Sequence, residues 1–266
     1  MKTVGIVGGG NMGAAILSRI NKKFKIIVCE PDEKRGTELR KKFKVALQDL
    51  PSLIESSDII LVAVKPQDID AVVLTLKKAG IKNKLVISIA AGITTSYLEK
   101  YLGKEARVIR TMPNMPAMIG EAMTAIAAGK NAKRSDIKVA LQIFEGIGKA
   151  IVVGEQWLDA ITALSGSGPA YVFLFAECLL KAAVVLGLDE KTSQTLIQQT
   201  LLGSIHLLAQ SKDDAATLRA KVTSKGGTTQ AATDVLTNYN IEKIFQEALI
   251  AARNRAKELS RGEQHG

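Results

Sequence analysis

The glycines near the start of the chain have the spacing of a dinucleotide-binding turn. Residues 4–13 read Val-Gly-Ile-Val-Gly-Gly-Gly-Asn-Met-Gly, a strand pattern followed by Gly-x-Gly-x-x-Gly and an amphipathic segment. In this pattern Gly8 permits a tight turn, Gly10 lets backbone approach a pyrophosphate, and Gly13 allows close helix–strand contact. The helix N–H groups then face the phosphates. The predicted phosphate-side contacts are Gly8, Gly10, Asn11, Met12 and Gly13.

An acidic residue follows the second predicted strand, where such sites bind the adenosine ribose. Glu30 comes directly after Lys25–Cys29, and its carboxylate could accept hydrogen bonds from the ribose hydroxyls, which favours NADH. Lys34 and Arg35 could instead meet the 2′-phosphate of NADPH, or all three could cap and solvate the next helix. We therefore predict NADH or NADPH as cofactor, with Glu30 favouring NADH.

Residues for histidine or metal chemistry are scarce. The chain contains only His206 and His265, and its two cysteines, Cys29 and Cys178, lie in apolar runs. Few residues could therefore serve as a histidine base or bind a metal through histidine, and we expect no metal. The cysteines are typical of core residues in a reducing compartment. No leader pattern precedes the first strand, so we expect a cytoplasmic protein.

The charge balance is basic, with 36 Lys and Arg against 26 Asp and Glu, a formal net charge of +10. The basic residues are scattered along helix-like segments with few aromatics, which is typical of solvated faces. We expect no nucleic-acid partner. Gly, Pro or charge interrupts the apolar runs, so we also expect no membrane role.

Hydrophobic periodicity divides the chain near Gly154. Before it, short β-branched runs alternate with amphipathic segments, which indicates repeated βαβ units and a parallel sheet. After it, helical spacing dominates, and Pro169–Leu186 is apolar on nearly every face, which indicates an extensive subunit interface. We predict the α/β class: a Rossmann doubly wound sheet over 1–154 and an all-α dimerisation and substrate domain over 155–266. The predicted strands are Thr3–Val7, Lys25–Cys29, Ile59–Ala63, Leu85–Ile89, Val108–Thr111, Met123–Ala127 and Ala150–Val153; the helices are Met12–Asn21, Asp32–Lys42, Pro66–Lys78, Ser135–Glu145, Pro169–Leu186, Glu190–Ser211, Asp213–Thr223, Thr228–Asn238 and Ile241–Ser260.

Further stretches make the chain resemble the pyrroline-5-carboxylate reductases nearly from end to end. The matching residues are Ala63-Val64-Lys65-Pro66, Ser88-Ile89-Ala90-Ala91-Gly92, Arg110-Thr111-Met112-Pro113-Asn114, Leu164-Ser165-Gly166-Ser167-Gly168-Pro169-Ala170-Tyr171 and Thr223-Ser224-Lys225-Gly226-Gly227-Thr228-Thr229.

The resemblance implies a two-part site. Its cofactor loops would contact ribose and nicotinamide, and a glycine-rich helix start would hold the substrate carboxylate where two subunits meet. Thr229 would bond or protonate the ring nitrogen, and Glu155 would support the substrate amine. Lys225 departs from the proline that many relatives have there. The implied cofactor contacts are Ala63, Val64, Lys65, Pro66, Ala90, Ala91, Gly92 and Asn114; the implied substrate contacts are Ser224, Gly226, Gly227, Thr228 and Thr229.

The activity implied by the resemblance is reduction of 1-pyrroline-5-carboxylate to L-proline by a homodimer that could assemble further, for example into a decamer. A β-hydroxyacid dehydrogenase would need a lysine and an asparagine one helical turn apart, whereas Lys181 has Leu186 near it. An imine reductase for another substrate stays open. A non-catalytic dinucleotide sensor would lose the substrate segment, which Ser224–Thr229 retains.

Overall fold

A computed structural model describes residues 1–260; His265 lies outside the described residues. The strands are β1 Thr3–Val7, β2 Lys25–Cys29, β3 Ala46–Leu47, β4 Ile59–Val62, β5 Leu85–Ser88, β6 Arg107–Met112, β7 Ala122–Ala128 and β8 Gly148–Val152. The helices are α1 Asn11–Ile20, α2 Glu33–Phe43, α3 Leu50–Ser56, α4 Ile69–Ala79, α5 Thr95–Leu102, α6 Arg134–Phe144, α7 Leu158–Ile161, α8 Gly168–Val185, α9 Glu190–Gln210, α10 Ala215–Lys221, α11 Thr228–Asn238 and α12 Ile241–Ser260.

The strands form one sheet in the order β3-β2-β1-β4-β5-β6-β7-β8. All neighbours pair in parallel except β6 and β7, so the last two strands run against the rest. The chain order reverses between β1 and β4, the switch point at which doubly wound sheets bind nucleotides. The predicted α/β class, a Rossmann doubly wound sheet followed by helices, is confirmed.

The central strands are buried on both faces because helices cover each side. Alternate residues of β4 point to opposite cores: Ile59 and Leu61 pack with α1 and α6, while Ile60 and Val62 pack with α3, α4 and α5. Each fully buried side chain of this size contributes about 1.5–3 kcal/mol relative to an exposed one. The continuous apolar strands therefore hold the loops at their carboxyl ends in fixed positions.

The described residues form two compact units, residues 1–169 together with residues 251–260, and residues 170–250. The predicted boundary at Gly154 stays a prediction. Within residues 170–250, all of which the structure describes, Ser193 is the only buried residue and no apolar side chain is buried. This unit thus has no hydrophobic core of its own.

The stretch Glu155–Val185 is long and apolar enough to cross a membrane by length and composition, and none of its most apolar window is buried. The expectation that Gly, Pro or charge interrupts the apolar runs is therefore wrong for this stretch. The π turn Thr162–Gly166 is followed after one residue by α8, which has Gly168 and Pro169 in its first turn. A subunit interface requires the same apolar composition, so the stretch is weak support for a membrane role.

Candidate functional site: the glycine turn and its neighbouring loops

The glycine turn after β1 leaves no room for a side chain at Gly8 or at Gly13. Gly8 has φ +97° and donates its N–H to the Cys29 carbonyl at 2.9 Å. A Cβ on Gly8 would lie 2.6 Å from the Ala63 carbonyl oxygen, and one on Gly13 would lie 2.2 Å from the Gly8 carbonyl oxygen. The structure therefore gives Gly8 and Gly13 the packing roles that the spacing predicts.

Gly10 is different because the space beside it is open. The nearest atom to a Cβ there would be Arg35 Nη1 at 3.9 Å, and no side chain caps α1 at this residue. The first N–H groups of α1 therefore remain available to an anion. A cavity of about 310 Å³ adjoins the turn. Its lining includes Gly9, Gly10, Asn11, Arg35, Lys42 and Met118. The open glycine and the uncapped helix end fit the pyrophosphate of a dinucleotide.

Glu30 is held against the glycine turn. Its Oε2 accepts the Gly9 N–H at 2.6 Å, and its Oε1 accepts the Asp32 N–H at 3.0 Å. Asp32 in turn caps α2 by accepting the Arg35 N–H at 2.8 Å. The carboxylate is thus fixed at the end of β2 against the glycine turn, and its predicted contact with a ribose stays a prediction.

The loops after β4 and β5 lie at the same carboxyl edge of the sheet. The Ala63 N–H donates to the Val7 carbonyl at 2.8 Å, so this loop follows the glycine turn closely, while Lys65 is exposed. Ala90 is buried and donates its N–H to Ser88 Oγ at 3.2 Å. Gly92 has φ +76°. The structure therefore gathers these two predicted cofactor loops around one edge.

Asn114 is committed to internal contacts. Its amide donates to the Ser165 carbonyl at 3.1 Å, and its oxygen accepts the Met123 N–H at 2.9 Å. Ser165 belongs to the π turn Thr162–Gly166, and such turns often mark functional positions. Asn114 therefore ties the end of β6 to this turn, and its predicted nicotinamide contact stays a prediction.

Glu155 belongs to a cluster that sequence reasoning missed. Its carboxylate accepts the Thr95 N–H at 2.7 Å and the Thr95 hydroxyl, and Arg110 Nη1 lies 3.4 Å from it. The Arg110 Nη2 lies 3.3 Å from Asp159, which also accepts the Ser260 hydroxyl at 3.0 Å. The predicted role of Glu155 at the substrate amine stays a prediction. The available signal was an arginine, Arg110, inside the predicted strand Val108–Thr111, because a guanidinium in a buried strand needs carboxylate partners.

The Ser224–Thr229 segment lies in the second unit, residues 170–250. Gly226, with φ +73°, donates its N–H to Gln230 Oε1 at 2.7 Å, and Gly227 donates to the Ser224 carbonyl at 3.0 Å. Neither glycine N–H is therefore free in this conformation. The helix α11 begins at Thr228, and no side chain caps it at Gly227. Its first-turn N–H groups, at Thr228 and Thr229, are the donors suited to an anion.

The described residues form no metal site, and the histidine and lysine weighed for other chemistries, His206 and Lys181, lie on the surface. Within residues 1–260, no three His, Cys, Asp or Glu side chains lie together in a way that could hold a metal ion. His206 is exposed on α9. Lys181 pairs with Glu177 at 2.8 Å across one turn of α8, on the exposed surface.

Two protein-family models match the chain. The model described as pyrroline-5-carboxylate reductase dimerisation matches residues 155–259, and the model described as NADP oxidoreductase coenzyme F420-dependent matches residues 3–92. Together they cover the glycine turn, two of the cofactor loops and the helical region.

Curated relatives and solved structures agree with these models. The pyrroline-5-carboxylate reductase of Methanosarcina acetivorans is 38% identical over 97% of this chain and 98% of its own, and that of Synechocystis sp. is 40% identical with the same coverage. The structure of such a reductase from Coxiella burnetii matches with TM-score 0.91, 37% identity, and 97% and 98% coverage. The Plasmodium falciparum pyrroline carboxylate reductase, solved with NADP bound, matches with TM-score 0.88, 30% identity and the same coverage.

A doubly wound sheet with an open glycine turn at its switch point, followed by a helical dimerisation region, defines a nicotinamide-dependent oxidoreductase that forms homo-oligomers. Identity of 38–40% along almost the whole chain narrows the class further. The chain belongs to the pyrroline-5-carboxylate reductase family, and the resemblance stated from its motifs is confirmed.

Proposed function

We propose that the chain reduces 1-pyrroline-5-carboxylate to L-proline, the last step of proline biosynthesis. The observation that carries the proposal is similarity to reductases of that name over 97% of the chain, with both the glycine turn and the Ser224–Thr229 segment retained. The bound nicotinamide would supply the hydride, which is added to C5 of the protonated imine.

The residues of the chain have to bind and orient more than they have to activate. A protonated imine carbon is already a strong electrophile, so no strong side-chain acid is needed, and positioning supplies most of the rate. The N–H groups of Thr228 and Thr229 at the start of α11 would hold the substrate carboxylate. The Thr229 hydroxyl would donate a hydrogen bond or proton to the ring nitrogen. Ser224, Gly226 and Gly227 would shape the loop.

The dinucleotide would lie along the carboxyl edge of the sheet. Its pyrophosphate would meet the glycine turn, its adenosine ribose would meet Glu30, and its nicotinamide half would lie at the loops after β4, β5 and β6. The residues proposed for these contacts are Gly8, Gly10, Asn11, Met12, Gly13, Glu30, Ala63, Val64, Lys65, Pro66, Ala90, Ala91, Gly92 and Asn114.

Steady-state kinetics of the purified protein with 1-pyrroline-5-carboxylate test the proposal. We expect turnover to proline with NADH or NADPH. Binding of either cofactor without turnover would remove the substrate assignment, and it would leave a dinucleotide-binding protein.

The first specific prediction concerns the cofactor preference. Glu30→Gln keeps one acceptor oxygen but turns an N–H donor toward Gly9 or Asp32, and it removes a charge that repels a 2′-phosphate. We expect the ratio of kcat/KM for NADH to that for NADPH to fall about tenfold, since one hydrogen-bonded charge is worth about 1.5–3 kcal/mol. Glu33→Gln, the same charge change at the exposed start of α2, is the control. Equal ratios in both variants would contradict the role of Glu30.

Further expectations concern the assembly and its setting. The subunits would form an intertwined homodimer that could assemble into a decamer, in the cytoplasm, without nucleic-acid or membrane partners. The helical region from residue 155 would supply the dimerisation surface, because residues 170–250 expose rather than bury their apolar side chains.

The second prediction tests this surface with two matched leucines. Leu174 on α8 is 59% exposed and Leu74 on α4 is 51% exposed. We expect Leu174→Glu to weaken self-association by about 30-fold or more, because charge at an apolar interface costs at least about 2 kcal/mol. Leu74→Glu should leave the mass unchanged in sedimentation velocity measured over a range of concentrations. A Leu174→Glu protein with the parental mass at every concentration would exclude α8 from the interface.

A further inference from the structure

Arg110 is a buried cation held between two carboxylates. It lies in β6 at 5% exposure, with Nη1 3.4 Å from Glu155 Oε1 and Nη2 3.3 Å from Asp159 Oδ1. Taking a guanidinium out of water is expensive unless such partners fix it. The three side chains therefore have little freedom to move independently.

Glu155 connects Arg110 to the loop after β5 through hydrogen bonds to Thr95. Both of its oxygens bind Thr95, one through the N–H and one through the hydroxyl, and Thr95 is itself buried. Thr95 is the first residue of α5 and follows Gly92 by three positions. The carboxylate thus fixes the point at which the Ala90–Gly92 loop enters the helix.

Asp159 connects Arg110 to the end of α12 through a hydrogen bond from Ser260. It accepts the Ser260 hydroxyl at 3.0 Å while pairing with Arg110. The neighbouring Leu259 lies over the loop, since a Cβ on Gly92 would be 2.9 Å from Leu259 Cβ. One cluster therefore holds both the exit of the loop and the helix end that covers it.

We propose that Arg110, Glu155 and Asp159 are positioning residues that set the Ala90–Gly92 loop for the nicotinamide half of the cofactor. This inference rests on the proposed function for the identity of the ligand. The cluster acts through the loop and through α5, and it touches neither substrate nor cofactor. Glu155, whose two oxygens are taken by Thr95, then has a conformational role in place of direct contact with a substrate amine.

A matched pair of arginines on the same strand provides the test. Arg107, the first residue of β6, pairs with Asp136 at 3.1 Å. Arg110→Met and Arg107→Met remove one ion-paired arginine each and keep the apolar stem. The readouts are the Kd for NADH from its fluorescence, the Kd for ADP-ribose, the melting temperature, and kcat and KM.

We expect Arg110→Met to weaken NADH binding about tenfold and to lower kcat by up to about 10²-fold, because displacement by about 1 Å costs that much. ADP-ribose, which lacks the nicotinamide, should bind as before. Arg107→Met should change only the melting temperature.

Milder variants keep the test decisive if Arg110→Met does not fold. Glu155→Gln turns a donor amide toward the donors of Thr95 and Arg110, so it should weaken NADH binding in the same selective way. Asp159→Asn keeps an acceptor oxygen for Arg110 and Ser260 and should have a much smaller effect. Thr95→Val should weaken NADH binding because it removes the hydroxyl that Glu155 accepts from, and Thr95→Ser, which keeps that hydroxyl, should retain most of the NADH affinity.

Parallel losses of NADH and ADP-ribose affinity, or equal behaviour of the Arg110 and Arg107 variants, would overturn the proposal. Failure of the parent protein to reduce 1-pyrroline-5-carboxylate would instead overturn the proposed function. The NADH and ADP-ribose arms would still report on the cluster in that case.

Discussion

Gly10→Ala is expected to fold like the parent protein and to bind NADH or NADPH at least about tenfold more weakly. The added methyl would meet nothing closer than Arg35 Nη1 at 3.9 Å, and the φ of Gly10, −61°, suits any residue. It would, however, fill the space through which the pyrophosphate approaches the first N–H groups of α1. Loss of even one charge-assisted hydrogen bond accounts for tenfold.

Gly13→Ala provides the contrast, because the same methyl would lie 2.2 Å from the Gly8 carbonyl oxygen. This overpacking should cost about 1–3 kcal/mol of stability in addition to cofactor affinity. Calorimetry and cofactor titration on both variants separate the two effects. A Gly10→Ala protein with parental affinity, or one that melts as early as Gly13→Ala, would contradict this description of the turn.

Thr229→Val is expected to lower kcat about 10²-fold while leaving cofactor affinity unchanged. Valine has nearly the same shape and helix propensity, so the substitution removes only the hydroxyl proposed to serve the ring nitrogen. Loss of a positioned proton donor costs about 10²–10⁴-fold. Single-turnover kinetics at saturating cofactor measure the effect directly.

Thr237→Val is the control for that measurement. Thr237 lies on the same helix, α11, and its hydroxyl donates only to the Thr233 carbonyl at 2.8 Å. Its replacement should leave kcat unchanged. Full activity in Thr229→Val would show that water supplies the proton and would leave α11 with carboxylate binding alone.

The sequence predicts those elements whose local hydrophobic pattern matches the burial that the fold gives them. Strands β1 and β2 match their predicted bounds, because apolar β-branched runs have few alternatives in a parallel sheet. The start of α9 is likewise set by a local signal: Asp189 accepts the Thr192 N–H at 3.0 Å, and hydrogen bonds from Thr192 hold the pKa of Asp189 below its usual range.

Elements defined by a few residues or by tertiary contacts were not predicted. Strand β3 has two residues, and α3 has seven without a long apolar face. Helix α5 begins with Thr-Ser, residues of low helix propensity, although Thr94 caps it by accepting the Tyr97 N–H at 3.1 Å. The direction of β7 against β6 also leaves no mark in periodicity, since both orientations bury the same face.

In the candidate site too, the locally determined part could be predicted from the sequence, and the part that depends on tertiary contacts could not. Glycine spacing predicts the turn because only backbone geometry is involved. Thr95 lies 60 residues from Glu155 in sequence, and Ser165 lies 51 residues from Asn114, so only the folded chain reveals these contacts. A residue type that is rare in cores, such as Arg110, is the one sequence clue to such a cluster.

The exposed apolar side chains of residues 170–250 have a consequence for how the protein folds and assembles. In a single copy the apolar side chains of these residues are exposed, and the proposed homodimer would cover them. For such chains, the free energy of folding cannot be separated from protein concentration, because encounter with a second copy covers these side chains. The supply of working reductase would then depend on how often newly made copies meet, and not only on how many are made.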